Sequence, residues 1–271
     1  MKFLPLIFLA FIFGFVVPGS VNSQESKLTY ERAYQDYTYN YDIYRKANSE
    51  YESYRLQYLQ YKTLTAQENA REATAKMLMT RDEVNKTYLT AIRARLSETG
   101  GITDDKKDSL YAQIDSQVKW FSNHKDKIPS AGSLEDLIKD SEEATDYYQA
   151  GEFTIYDSLV TISMGKIADI RGKQEKTLSD IKSKVSEIRD NGDKDTAVLE
   201  RWILDTENRI TRSREKELEA LAILPQLKSK QGKINIGLYD QIISKLSESL
   251  QYLRDANSFM KEIVNGIKFE D

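Results

Sequence analysis

From Gln24 to Thr99 the chain contains no glycine and no proline, the two strongest helix breakers. Within that span large side chains return three and four residues apart. They run Tyr30, Tyr34, Tyr37, Tyr41, Tyr44, then Tyr51, Tyr54, Tyr58, Tyr61, then Val84, Tyr88, Ile92 and Leu96. This is the period of a helix, not the alternation of a strand. With Ser26 or Thr29 as cap and Gly100-Gly101 as stop, the pattern predicts one helix of about 70 residues, about 105 Å long at 1.5 Å per residue. A second helix is expected after Thr103. Asp104 and Asp105 sit in its first turn, where the dipole favours negative charge; its stripe is Leu110, Ile114, Val118 and Phe121, and residues 128–132 end it.

Ser133 is placed to cap a third helix, with Asp136 at the capping-box position. Leu134, Leu137, Ala144, Tyr148 and Ile155 form one stripe of this helix, and Ile167, Ile170, Leu178, Ile181, Val185 and Ile188 another. Between the stripes, residues 153–170 are apolar nearly all round, the mark of a helix buried on every side. A rod of about 55 residues that changes partners midway accounts for this, although Gly151, Gly165 and Gly172 interrupt it. Residues 190–193 read as a turn. A fourth helix is expected from about Ala197 to Leu224, ended by Pro225. After a polar loop at 228–235, a fifth carries heptads of Tyr239, Leu246, Leu253, Met260 and Ile267.

Short connections between helices make antiparallel neighbours. The expected architecture is therefore all-α: an elongated antiparallel helical bundle of five long helices. Residues 62–157 form one three-helix bundle and 158–271 a second, with the third helix shared between them. That layout looks like the arrangement of consecutive spectrin repeats. Residues 24–61 remain as a Tyr-rich helix protruding without a partner, holding ten of the 17 tyrosines.

The first residues read as an export signal. Lys2 precedes a 15-residue apolar run from Phe3 to Val17, and Val21 and Ser23 flank Asn22 in the small-x-small pattern of a cleavage site. The run falls short of the ~20 residues that span hydrocarbon, so cleavage after Ser23 and an extracytoplasmic location are expected, with no stable membrane span afterwards. Composition then removes several classes of function. The absence of Cys excludes disulfides and thiolate chemistry. A single His excludes a multi-histidine metal centre. A net charge of −4 argues against nucleic acid, which calls for a basic face.

The tyrosine stripe is the most specific chemical feature. A tyrosine buries a large ring and keeps a hydroxyl for water or a partner, which suits a packing seam or an interface. Tyr30, Tyr34, Tyr37, Tyr41, Tyr44, Tyr51, Tyr54, Tyr58 and Tyr61 are the candidate interaction residues, for self-association or a protein partner. A glycan or peptide platform is the alternative. Arg209, Arg212, Arg214 and Lys216 alternate with Glu207, Glu215, Glu217 and Glu219, the pattern of a solvated, self-paired face. His124 reads as a lone exposed histidine near a helix end. Glu142, Glu143 and Asp146 read as surface charge, without the Glu-x-x-His pairs of a di-iron bundle. Asn85-Lys86-Thr87 is a glycosylation sequon placed mid-helix. No catalytic motif, phosphate loop, metal site or cofactor site is recognisable. The expected function is that of an exported, non-catalytic helical scaffold working through helix–helix contacts, with a holdase-like chaperone or the glycan- or peptide-binding module as alternatives.

Overall fold

The computed structural model describes residues 29–192, 195–228 and 233–269. The apolar leader, its cleavage site, Ser26 and residues 229–232 of the polar loop lie outside them. Among the described residues the chain is an all-α bundle of six α-helices: α1 Tyr30–Tyr61, α2 Leu64–Glu98, α3 Asp104–Lys127, α4 Leu134–Asn191, α5 Ala197–Ile223 and α6 Ile236–Phe269. Among the described residues, extended pairing is confined to an isolated bridge between Lys228 and Ile234. No helix among them is long and apolar enough to cross a membrane.

The expected 70-residue helix is instead two helices. Lys62 adopts the left-handed conformation (φ 50°) and its N–H donates to the Tyr58 carbonyl, closing α1. Thr63 then caps α2, its hydroxyl accepting from the Ala66 N–H. A non-glycine residue in this region costs about 1–2 kcal/mol, which the packing of the hairpin offsets. α1 folds back along α2 over its whole length. The Tyr30 N–H donates to Glu98 at 2.7 Å, Tyr37 packs on Tyr88 and Lys76 pairs with Glu50. The seam is lined by small residues, with Ala33, Ala47, Ala70, Ala73, Ala91 and Ala94 all buried, so the two backbones approach closely. The Tyr-rich helix therefore does not protrude without a partner. The layout differs from the five-helix expectation in this: the first core draws on four segments.

α3 runs antiparallel to α2 and to the first half of α4. Their shared core contains Leu89, Ile92 and Leu96 from α2, Leu110, Ile114 and Phe121 from α3, and Ile155 and Ile162 from α4. A neighbouring cluster of Met77, Leu78, Ile128 and Leu137 carries Tyr44 and Tyr51 of α1 against it. Phe121 is fully enclosed, so Phe121→Ala is expected to cost about 3–5 kcal/mol through lost transfer energy and a residual cavity. Urea unfolding followed by circular dichroism measures it.

α4 is continuous for 58 residues, capped by the Ser133 hydroxyl, which accepts from the Asp136 N–H, and closed by left-handed Gly192. Its second half forms another core with α5 and α6: Tyr156, Val160, Ile167, Leu178, Ile181 and Val185 meet Leu199, Ile203, Ile210, Tyr239, Leu246, Leu253 and Met260. Residues 153–170 are largely buried, and neighbouring positions serve different cores: Ile155 faces the first, Tyr156 the second. The second core also holds a polar layer, in which Arg171 pairs with Glu217 and Ser249 hydrogen-bonds both Glu217 and Ser213.

Candidate interaction surface

The nine stripe tyrosines do not share one fate, because they occupy two helical faces. Tyr30, Tyr37, Tyr44, Tyr51 and Tyr58 are spaced seven apart, and a seven-residue repeat keeps one face of a helix on its neighbour. All five are half-buried. Tyr34, Tyr54 and Tyr61 are exposed, as is Tyr39 outside the stripe, while Tyr41 is intermediate. The rings of Tyr30, Tyr34, Tyr37, Tyr41 and Tyr44 form a continuous ladder, with successive centroids 5.7–6.4 Å apart. Arg95 of α2 lies over the Tyr30 ring. Burial within this seam pushes the Tyr37 hydroxyl up to about 12, with Tyr41 and Tyr34 adding to the effect. Burial raises its contact Tyr88 as well. The heptad tyrosines thus belong to intrachain packing. The signal for it in the sequence was the exact sevenfold spacing, together with Ala33 and Ala47 two heptads apart.

What α1 leaves uncovered is the tip of the α1–α2 hairpin. Arg71 reaches the carbonyl of Ala131 at the α3–α4 junction, so the hairpin beyond that level is two helices thick. There Leu56 is 63% exposed, Leu59 51%, Tyr61 62% and Leu64 85%, with Tyr54 beside them. Three leucines exposed this far in one place differ from the scattered apolar residues of an ordinary surface.

The other candidates separate clearly. The basic run on α5 is matched within its helix and by its neighbours: Arg212 with Glu215, Arg214 with Glu175 of α4, Lys216 with Glu219 and with Glu248 of α6, and Arg209 over the Tyr252 ring of α6. The Thr87 hydroxyl of the sequon is bonded to its own helix backbone. His124 is not the exposed residue expected. It is buried, its Nδ1–H donates to Asp82 at 2.5 Å, and the Trp120 ring stacks on it and on Tyr147. Nothing in the sequence announces this pair, because 42 residues separate its members. Two surface clefts, of about 370 and 880 Å³, flank the second half of α4, and neither is lined by any of the nine tyrosines.

Comparison with family models, with curated proteins and with solved structures gives no match to this chain.

Proposed function

We propose that the chain is an exported, non-catalytic helical interaction protein that acts outside the cytoplasm and docks through the α1–α2 hairpin tip, on a second copy or on a protein partner. The observation that supports this reading is the group of Leu56, Leu59, Tyr61 and Leu64, solvent-facing on a two-helix projection. Export rests on the leader pattern in residues 1–23. Fully burying one leucine is worth about 1.5–3 kcal/mol, and about 1.4 kcal/mol is tenfold in affinity. Burying the exposed parts of three leucines and a tyrosine therefore contributes part of the affinity of such a contact, against an association cost of about 4–15 kcal/mol.

The test is Leu56→Ser, Leu59→Ser and Leu64→Ser together, studied by sedimentation equilibrium. The helix content of the protein should stay unchanged, since these side chains are more than half exposed and belong to none of the core clusters. Self-association, or capture of the native partner, should weaken by more than about hundredfold. Unchanged association would place the contact elsewhere. The second reading, a glycan or peptide platform, draws on Tyr34, the exposed member of the ring ladder, and on exposed Tyr39. Under that reading Tyr34→Ser and Tyr39→Ser, rather than the leucine changes, remove binding.

A further inference from the structure

At the end of the bundle nearest the hairpin tip, the last turn of α3 brings a histidine against two carboxylates three residues apart in the first turns of α4. One ring nitrogen of His124, one carboxylate oxygen of Asp140 and one of Glu143 lie within 4.8 Å of one another. His124 and Asp140 are buried, while Glu143 is half-exposed. The imidazole is held on both sides. Its Nδ1–H donates to fully buried Asp82, and its face is clamped by Trp120. That leaves Nε2, which is buried and has no hydrogen-bond partner. An unpaired buried ring nitrogen costs about 1–3 kcal/mol unless it has a ligand to bind.

We propose that His124 Nε2, Asp140 and Glu143 form a binding site for a divalent metal ion of the zinc class, with Asp82 as the residue that fixes the histidine. Four features converge. A carboxylate on the far ring nitrogen is the usual partner of a metal-binding histidine; it sets the tautomer and makes Nε2 more basic. One imidazole and two carboxylates are a donor set that zinc accepts, leaving a fourth position for water. The site lies at the C-terminal end of α3, where the helix dipole favours a cation. Charge is the fourth. Asp82, Asp140 and Glu143 bear three negative charges, against two cations: the Lys127 ammonium between Asp140 and Glu143, and the guanidinium of Arg81, which lies 4.0 Å from Asp82 and hydrogen-bonds Ser141. Lys125 is already matched by Glu83.

A cation already occupies part of this position. The Lys127 ammonium bridges Asp140 and Glu143, 3.1 Å from each. Its side chain is about half exposed and held by these two ion pairs alone, so the metal must displace it into solvent on entering. Metal bonds of about 2.1 Å place donors about 3.4 Å apart. The half-exposed Glu143 side chain has the freedom to close the remaining distance. The bound ion would tie α3 to α4 across the turn at 128–133, bracing the end of the bundle that carries the projecting hairpin. The site stands independently of the docking function proposed above.

Titration calorimetry of the purified protein with Zn²⁺ tests this. One ion per chain is expected, with a rise in melting temperature and a change in Trp120 fluorescence, read in a Trp202→Phe background. Co²⁺ in place of Zn²⁺ should give visible bands of mixed nitrogen and oxygen ligation. Glu143→Gln, on a half-exposed side chain that leaves the fold intact, should abolish the isotherm, as should Asp140→Asn. Asp82→Asn should weaken affinity about 10–100-fold, and Lys127→Ala should strengthen it by removing the competing cation. A wild-type protein with no saturable Zn²⁺ isotherm overturns the proposal. So does binding that survives Glu143→Gln and Asp140→Asn unchanged, which would put the ion at another site.

Discussion

Gly165→Leu is expected to unfold most of the molecule, and even Gly165→Ala should destabilise it. Gly165 lies where α4 crosses the α2–α3 loop. A Cβ there would stand 2.4 Å from Ile102 Cγ1, 2.7 Å from the Gly100 carbonyl oxygen and 2.9 Å from Thr99 Cγ2. The loop is equally constrained, since Gly101 has φ +69° and its own Cβ would fall 2.3 Å from the Gly165 carbonyl oxygen. Helix propensity alone predicts the opposite sign, because alanine gains about 1 kcal/mol over glycine within a helix. Overpacking costs about 1–3 kcal/mol and more where backbone must move, so sterics win. Leucine adds three further carbons to the same gap, a loss that is large beside a total stability of about 5–15 kcal/mol. Gly172, seven residues along the same helix, supplies the control: a Cβ there meets nothing within 4 Å. Gly172→Ala should raise stability by about 0.5–1 kcal/mol. Urea unfolding of the two alanine variants must give shifts of opposite sign. A stabilising Gly165→Ala would mean that the crossing is looser than described.

The second large effect concerns Ile162→Pro. Proline removes the N–H bonded to the Ser158 carbonyl and clashes with that carbonyl, at about 3 kcal/mol or more in a helix interior. Ile162 also contributes a buried side chain to the first core, while its neighbours Val160 and Ile167 serve the second. A kink here separates the two cores at the segment that joins them. The expected result is loss of a single cooperative transition. The two tryptophans make it readable: Trp120 packs on the first core and Trp202 on the second, so their fluorescence transitions should coincide in the wild type and diverge in the variant. Coincident transitions at the wild-type midpoint would show that the continuity of α4 does not couple the halves.

Much of this architecture was readable because its causes are local. The caps at Ser133 and Thr63 illustrate the limit. Ser133 follows Pro129 and Gly132, breakers that announce a boundary, and it caps α4 as expected. Thr63 follows no breaker. Lys62 adopts a conformation that its own chemistry disfavours, and what compensates is the alanine seam, a contact between two helices rather than a local signal. The same holds for the interaction residues. Helical spacing placed nine tyrosines on one helix, but which of them face solvent depends on where α2 lies, and that depends on the hidden turn. Gly165 was visible as an interruption of a helix. That it is a crossing point required Gly101, on a loop between two other helices, to be brought against it. His124 reads as surface because charge surrounds it in sequence; Asp82 and Trp120, which bury it, arrive from the fold.

Ile155 and Tyr156 are adjacent on α4 yet anchor different cores, and successive residues on a helix point about 100° apart. The shared rod is thus keyed like a shaft with slots cut on two sides. It cannot spin within one bundle without forcing its side chains out of the other. The azimuth between the bundles is consequently written into the register of α4 rather than left to a linker, and a torque applied where the hairpin projects is delivered, through that shaft, to α5 and α6.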